Sequence, residues 1–111
     1  MEKLEQYRNF VEKIIAEHSQ YKPSYGDIEV QVIFDRERDR YLLINVGWNN
    51  KHRVRGCILH IDIKNDKIWI QHDGTEIGMA NEFLKLGVPN EDIVLAFYSP
   101  YIRQFTDFAV S

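Results

Sequence analysis

Two histidine and carboxylate pairs, His60-x-Asp62 and His72-Asp73, are the most reactive neighbours in the chain. Imidazole and carboxylate groups bind a transition metal when three or four of them converge. If the pairs lie on successive strands, they can face each other across the ladder. No HxH or HExxH spacing accompanies them, so the expected arrangement is a satisfied polar cluster at strand ends, without metal. Asp73 also has a simpler task, as the cap of a following helix. Asp62-Ile63-Lys64 matches the second half of a (D/E)xK nuclease pattern, in which two acids hold a metal and the lysine steadies a phosphate or water. A tight Asn65-Asp66 turn follows at once, and no Pro-Asp precedes it on a suitable strand. That argues against a nuclease. Cys57, between Gly56 and Ile58, has no histidine fixed beside it and reads as a small core residue rather than a nucleophile. The expectation is therefore no catalytic residue, no cofactor and no enzyme.

Basic residues gather twice. Arg36, Arg38 and Arg40 flank one turn, diluted by Glu37 and Asp39. Lys51, His52, Arg53 and Arg55 flank the next. Solvated hairpin loops account for both clusters. Phosphate contact is the alternative, and would make this a DNA-binding regulatory protein.

Composition bounds the rest. The chain has 111 residues, 44% of them hydrophobic. That predicts a single domain over 1–111 whose core needs neither disulfide nor metal. Fourteen Lys and Arg against seventeen Asp and Glu give a net charge of -3, unlike a general nucleic-acid coat. The lone cysteine suits a reducing cytoplasm. The opening residues hold no apolar leader, and no apolar run approaches the ~20 residues of a membrane span. A cytoplasmic protein without membrane contact is expected.

The elements that must position these groups emerge from periodicity. Residues 2–19 read as a helix, with Leu4, Tyr7, Val11, Ile14, Ile15 and His18 at helical spacings. Lys22 to Asp27, with Pro23 and Gly26, ends it. Four strands come next, at 28–35, 41–48, 53–63 and 67–72, joined by short polar turns, which predicts an antiparallel meander. Asp73 and Glu76 read as a capping box opening a second helix that runs to about Leu86, with Gly87 as its stop and Pro89 beyond. Ile93 to Phe97 is a short apolar run, Ser99 to Phe105 a last helical turn, and 106–111 a tail in which Phe108 and Val110 pack. The predicted fold class is α+β: a four-stranded or slightly larger antiparallel sheet, with both helices on one face.

Strand parity predicts the two faces. One collects Ile28, Val30, Val32, Phe34, Leu42, Ile44, Val46, Leu59, Ile61 and Ile63, to be covered by the helices. The other collects Ile33, Tyr41, Leu43, Asn45, Ile58, His60, Trp69 and Gln71. A mixed outer face of that kind calls for a cover, either the carboxyl-terminal segment or another protein.

Several segments together carry a family resemblance: Leu4-Glu5-Gln6-Tyr7-Arg8, Tyr21-Lys22-Pro23, Gly26-Asp27-Ile28-Glu29, Asn45-Val46-Gly47-Trp48, Arg53 to Cys57, Lys67 to Gln71, Asp73 to Gly78 and Gly87-Val88-Pro89. Over essentially the whole chain it resembles the fdxN element excision controlling factor XisI of cyanobacteria. The resemblance implies an α+β fold with an antiparallel sheet. It implies a role beside the site-specific recombinase XisF and the companion protein XisH in excising a DNA element during heterocyst differentiation. It supplies no catalytic residues. The expected function is accordingly that of an accessory protein that binds an XisH-like partner, with a homodimer as a further use of the same surface. The expected partner-binding residues are Tyr41, Leu43, Ile58, His60, Trp69 and Gln71 on the sheet, and Tyr101, Arg103 and Phe105 in the tail.

Overall fold

A computed structural model describes residues 2–111. The first helix, α1, spans Glu2–His18. Tyr7, Val11, Ile14 and Ile15 recur every three or four residues on its buried stripe. The strands are β1 Asp27–Asp35, β2 Arg40–Asn49, β3 His52–Lys64 and β4 Lys67–Asp73. They pair consecutively and antiparallel, as the short turns require. Asn65 and Asp66 both take positive φ, 55° and 59°, the conformation of a two-residue hairpin that matches strand twist.

After β4 come α2, Met79–Lys85, and a 3₁₀ turn at Asn90–Asp92. A fifth strand, β5 Ile93–Leu95, then joins the sheet parallel to β4, giving the order β1-β2-β3-β4-β5. The sheet is thus one parallel strand larger than a four-stranded meander. A short helix, α3 Pro100–Arg103, is capped by Ser99, whose hydroxyl accepts from the Ile102 amide.

One apolar cluster joins α1 through Tyr7, Val11, Ile14 and Ile15 to α2 through Met79 and Phe83. Between them lie Tyr41, Leu43, Leu59, Ile61, Ile63, Ile68, Ile70 and Ile93. Both helices therefore cover the same sheet face.

The second helix begins later than its capping pattern suggests. Gly78, with φ of 92°, is its N-cap, and no side chain bonds from that position. Asp73 still serves the helix, from farther away. Its carboxylate accepts from the Thr75 amide at 2.9 Å, the Thr75 hydroxyl at 2.6 Å and the Met79 amide at 2.7 Å. Glu76 is exposed and is not a reciprocal partner.

The predicted faces need correction in β2. Val32 stands opposite Leu43, and Phe34 opposite Tyr41, with Leu59 and Ile61 next in the ladder. Cross-strand neighbours share a face. Tyr41 and Leu43 therefore lie under the helices, 0% and 2% exposed, not on the outer face. Leu42, Ile44 and Val46 take the outer face instead. Two bulges change parity elsewhere. The register slips between Leu43 and Ile44, so that Ile58 is the extra residue, and again between His60 and Ile61, so that Gln71 is extra. Cys57, opposite Ile44, thereby moves to the outer face, while Ile58 packs against the helix-side core with Leu59.

Candidate interaction surfaces

The carboxyl-terminal segment is held by one side chain. The Arg103 guanidinium donates to the carbonyls of Tyr98 at 2.9 Å, Ala96 at 3.2 Å and Val110 at 3.3 Å. Its plane also lies 5.6 Å from the centroid of Trp69 on β4. Lys64 approaches the same indole to 4.0 Å, and the indole N–H donates to the Lys64 carbonyl. Trp69 is consequently 8% exposed: the tail and Lys64 cover it. Arg103 is thus a positioning residue, spent on its own chain. What it positions is a cluster of uncovered apolar side chains. Phe97, Tyr98, Tyr101, Ile102 and Phe105 are all exposed, Tyr101 and Phe105 by 67% and 69%. The last two rings meet edge to face at 5.4 Å.

The second surface is the outer sheet face. His60 and Gln71, both expected there, are there. Asp62 accepts from Gln71 Nε2 at 3.2 Å and pairs with His60 Nε2 at 3.1 Å. The trio is a closed polar cluster. His72 faces His60 across the ladder. Among the described residues, no three His, Cys, Asp or Glu side chains gather as a metal site. The Cys57 thiol is pushed up from its usual pKa by burial, against reactivity as a thiolate.

The basic turns are largely occupied internally. Arg36 donates to Glu12 at 2.7 Å, Glu5 at 2.8 Å and Asn9 at 3.0 Å, clamping the first turn to α1. Those carboxylate bonds hold its pKa above the ordinary value. Arg38 pairs with Asp35 at 3.2 Å, and Arg40 bonds the Arg38 carbonyl. Arg53 bonds the Gly47 carbonyl and stacks 5.4 Å from Trp48. Lys51 and Arg55 are exposed. Two scattered cations make a poor phosphate track. Sequence reasoning had no signal for the α1 clamp, because Glu5, Asn9 and Glu12 lie far from Arg36 in the chain.

A third feature is an open cleft of about 840 Å³ between the end of α1, the sheet and the 74–77 loop. Its floor is Val30, Leu43, Asn45 and Ile58, and its wall includes the His18–Glu82 pair at 2.7 Å. Ile58, expected on the outer face, belongs here.

Fold and surfaces together describe an α+β protein with five exposed apolar side chains in its carboxyl-terminal segment and, among the described residues, no group of side chains that could hold a metal ion. The family model described as XisI protein matches residues 1–110, and the chain belongs to the XisI family. Two solved structures from Anabaena variabilis are similar to it. One, a XisI-like protein, is 42% identical with a TM-score of 0.92, over 97% of this chain and 99% of that one. The other, the fdxN element excision controlling factor XisI, is 36% identical with a TM-score of 0.86, over 98% and 99%. No curated protein matches the chain. Among the described residues, no helix is long and apolar enough to cross a membrane.

Proposed function

We propose that this chain is a non-enzymatic accessory factor that controls excision of a DNA element by binding a companion protein. The companion is an XisH-like protein, acting with a site-specific recombinase during heterocyst differentiation. Family membership supports the excision role, since one similar structure is named as an excision controlling factor. The reading implies a cytoplasmic protein that works beside the chromosome.

The observation that carries the binding mode is the tail. Five large apolar side chains lie exposed within residues 97–105. Isolated exposed side chains are ordinary, whereas a contiguous group marks a contact surface. Aromatic side chains give the most binding energy for the entropy lost in fixing them. Arg103 fixes the segment in advance, which lowers the ordering cost of association. Tyr101 and Phe105 are then the anchors, with Trp69 as their buried support. His60 and Gln71 lie at the margin.

The test is light scattering on a sizing column, with the chain alone and mixed with the XisH-like protein of the same genome. A co-eluting complex that is lost in Tyr101→Ala and Phe105→Ala supports the reading. Separate peaks, combined with salt-sensitive binding to DNA alone, overturn it.

A further inference from the structure

The outer face of β1, β2 and β3 is a self-complementary surface, and we propose that a second copy of this chain packs on it. This goes beyond the companion-binding reading and shares with it only His60, at the edge of both surfaces. The register defines successive rows across the three strands. Asp27, Trp48 and Arg53 form one row, and Glu29, Val46 and Arg55 the next. Gln31, Ile44 and Cys57 come third, then Ile33, Leu42 and His60. The β2 column is apolar. The β1 column begins with two acids and the β3 column with two bases. Trp48 and Ile33 remain 52% and 44% exposed, and Leu42, Ile44 and Val46 between them are half-buried.

Two identical sheets can pack face to face about a two-fold axis lying between them. An axis across the strands sets β1 on β1 and β3 on β3 reversed end to end, so that Asp27 and Glu29 meet the Ile33 and Gln31 rows and no acid meets a base. An axis along β2 sets β1 of each copy on β3 of the other. Glu29 then faces Arg55 of the second copy and Asp27 faces Arg53, twice by symmetry, around the apolar column. The charges select the second arrangement. Arg53 is already held against Trp48, and Gln31 donates to Glu29 at 2.8 Å, so both charges are pre-positioned.

The pattern also sets the limit of the interface. Asp35, Arg40 and Asp62 form the last row. There the same axis brings Arg40 to Arg40 and Asp35 to Asp62. Packed sheets diverge at their corners because each is twisted, so contact ends at the Ile33 row. The remaining patch is about 20 Å by 15 Å at ordinary strand spacings. That is roughly 300 Å² per copy, well below the roughly 800 Å² per partner of a standard interface, so the dimer is weak and dissociates on dilution. The tail stands over β4, outside the patch.

Sedimentation over a range of concentrations tests this on the intact chain. Wild type is expected to shift from monomer to dimer as concentration rises. Glu29→Arg and Arg55→Glu should each weaken the dimer at least about tenfold, because each sets like charges opposite one another. An equimolar mixture of the two variants should regain a dimer, since each then meets its opposite charge. A wild type that stays monomeric overturns the proposal. So does a dimer indifferent to both reversals, or variants that stay apart when mixed. Circular dichroism of each variant separates these results from misfolding. Loss of companion binding in the tail variants leaves them untouched.

Discussion

Tyr7 donates its phenolic hydrogen to Asp92, a buried bond between residues 85 apart in sequence. Lys3 reaches the same carboxylate at 2.8 Å. Asp92 is the one buried charged residue among those described. Its two partners close the seam between the start of α1 and the turn that launches β5.

This seam makes an acid-stability prediction. Burial alone pushes the Asp92 carboxyl up, but the bonds from Lys3 and Tyr7 outweigh it and leave its pKa below the usual value. A carboxylate whose folded pKa is depressed stabilises the fold above its unfolded value, near ~3.9. That contribution disappears as pH falls through the folded value. Melting temperature measured against pH should therefore drop steeply below about pH 4 in wild type. Asp92→Asn should be less stable at neutral pH and flatter in acid. Tyr7→Phe should cost about 1–3 kcal/mol in urea unfolding, since it strips a buried acceptor of one donor.

Removing the Arg103 side chain should free the tail without unfolding the sheet. Arg103→Ala loses three carbonyl bonds and the stacking on Trp69. Limited proteolysis should then cut within 97–110 at least about tenfold faster, in line with a loss of about 1.5–3 kcal/mol of charged hydrogen bonding. Arg103→Lys should not restore protection, because an ammonium cannot span three carbonyls as a planar fork does. Equal cleavage in wild type and variant would show that the tail is held by other contacts.

Tyr41→Ala should behave as a core mutation. Tyr41 is 0% exposed, packs 5.8 Å from the Phe34 ring and donates to Asp39 at 3.0 Å. Truncating a large buried aromatic costs about 3–5 kcal/mol. Chemical denaturation should show that loss. A variant that unfolds like wild type would return Tyr41 to the surface.

Gly47→Ala should separate β1 from β2. A Cβ at Gly47 would collide with the Asp27 carbonyl. Backbone cannot yield as a side chain does, so the cost should reach at least about 1–3 kcal/mol. Faster hydrogen exchange confined to the β1 and β2 amides would localise it.

The helical stripe of α1 and the positions of four strands were legible because their apolar spacings are unambiguous. The phase of β2 was not. In Tyr41-Leu42-Leu43-Ile44 every side chain is apolar, so hydrophobicity cannot choose a face. The bulges at Ile58 and Gln71 had no local marker, and each reverses the parity of the residues beyond it. The start of α2 was misplaced because Asp73 and Glu76 fit a capping box. Gly74 and Gly78 loosen that segment, and Asp73 reaches the helix across it. Of the expected binding residues, His60, Gln71, Tyr101 and Phe105 fall on accessible surface, whereas Tyr41 and Leu43 lie in the core and Ile58 lines the helix-side cleft.

The parallel seat of β5 has a consequence during synthesis. Hairpins close from local contacts and form early, so β1 to β4 can assemble while residues beyond them are still being added. Until Ile93 arrives, Ile68-Trp69-Ile70 on β4 presents unpaired amides and carbonyls at a naked sheet margin. Apolar margins of that kind recruit strands from other chains. β5 and the segment behind it act as an internal guard: Val94 takes the place beside Trp69, and Ala109 then bridges to Val94. A chain in which β5 has not docked therefore carries its most adhesive margin on β4.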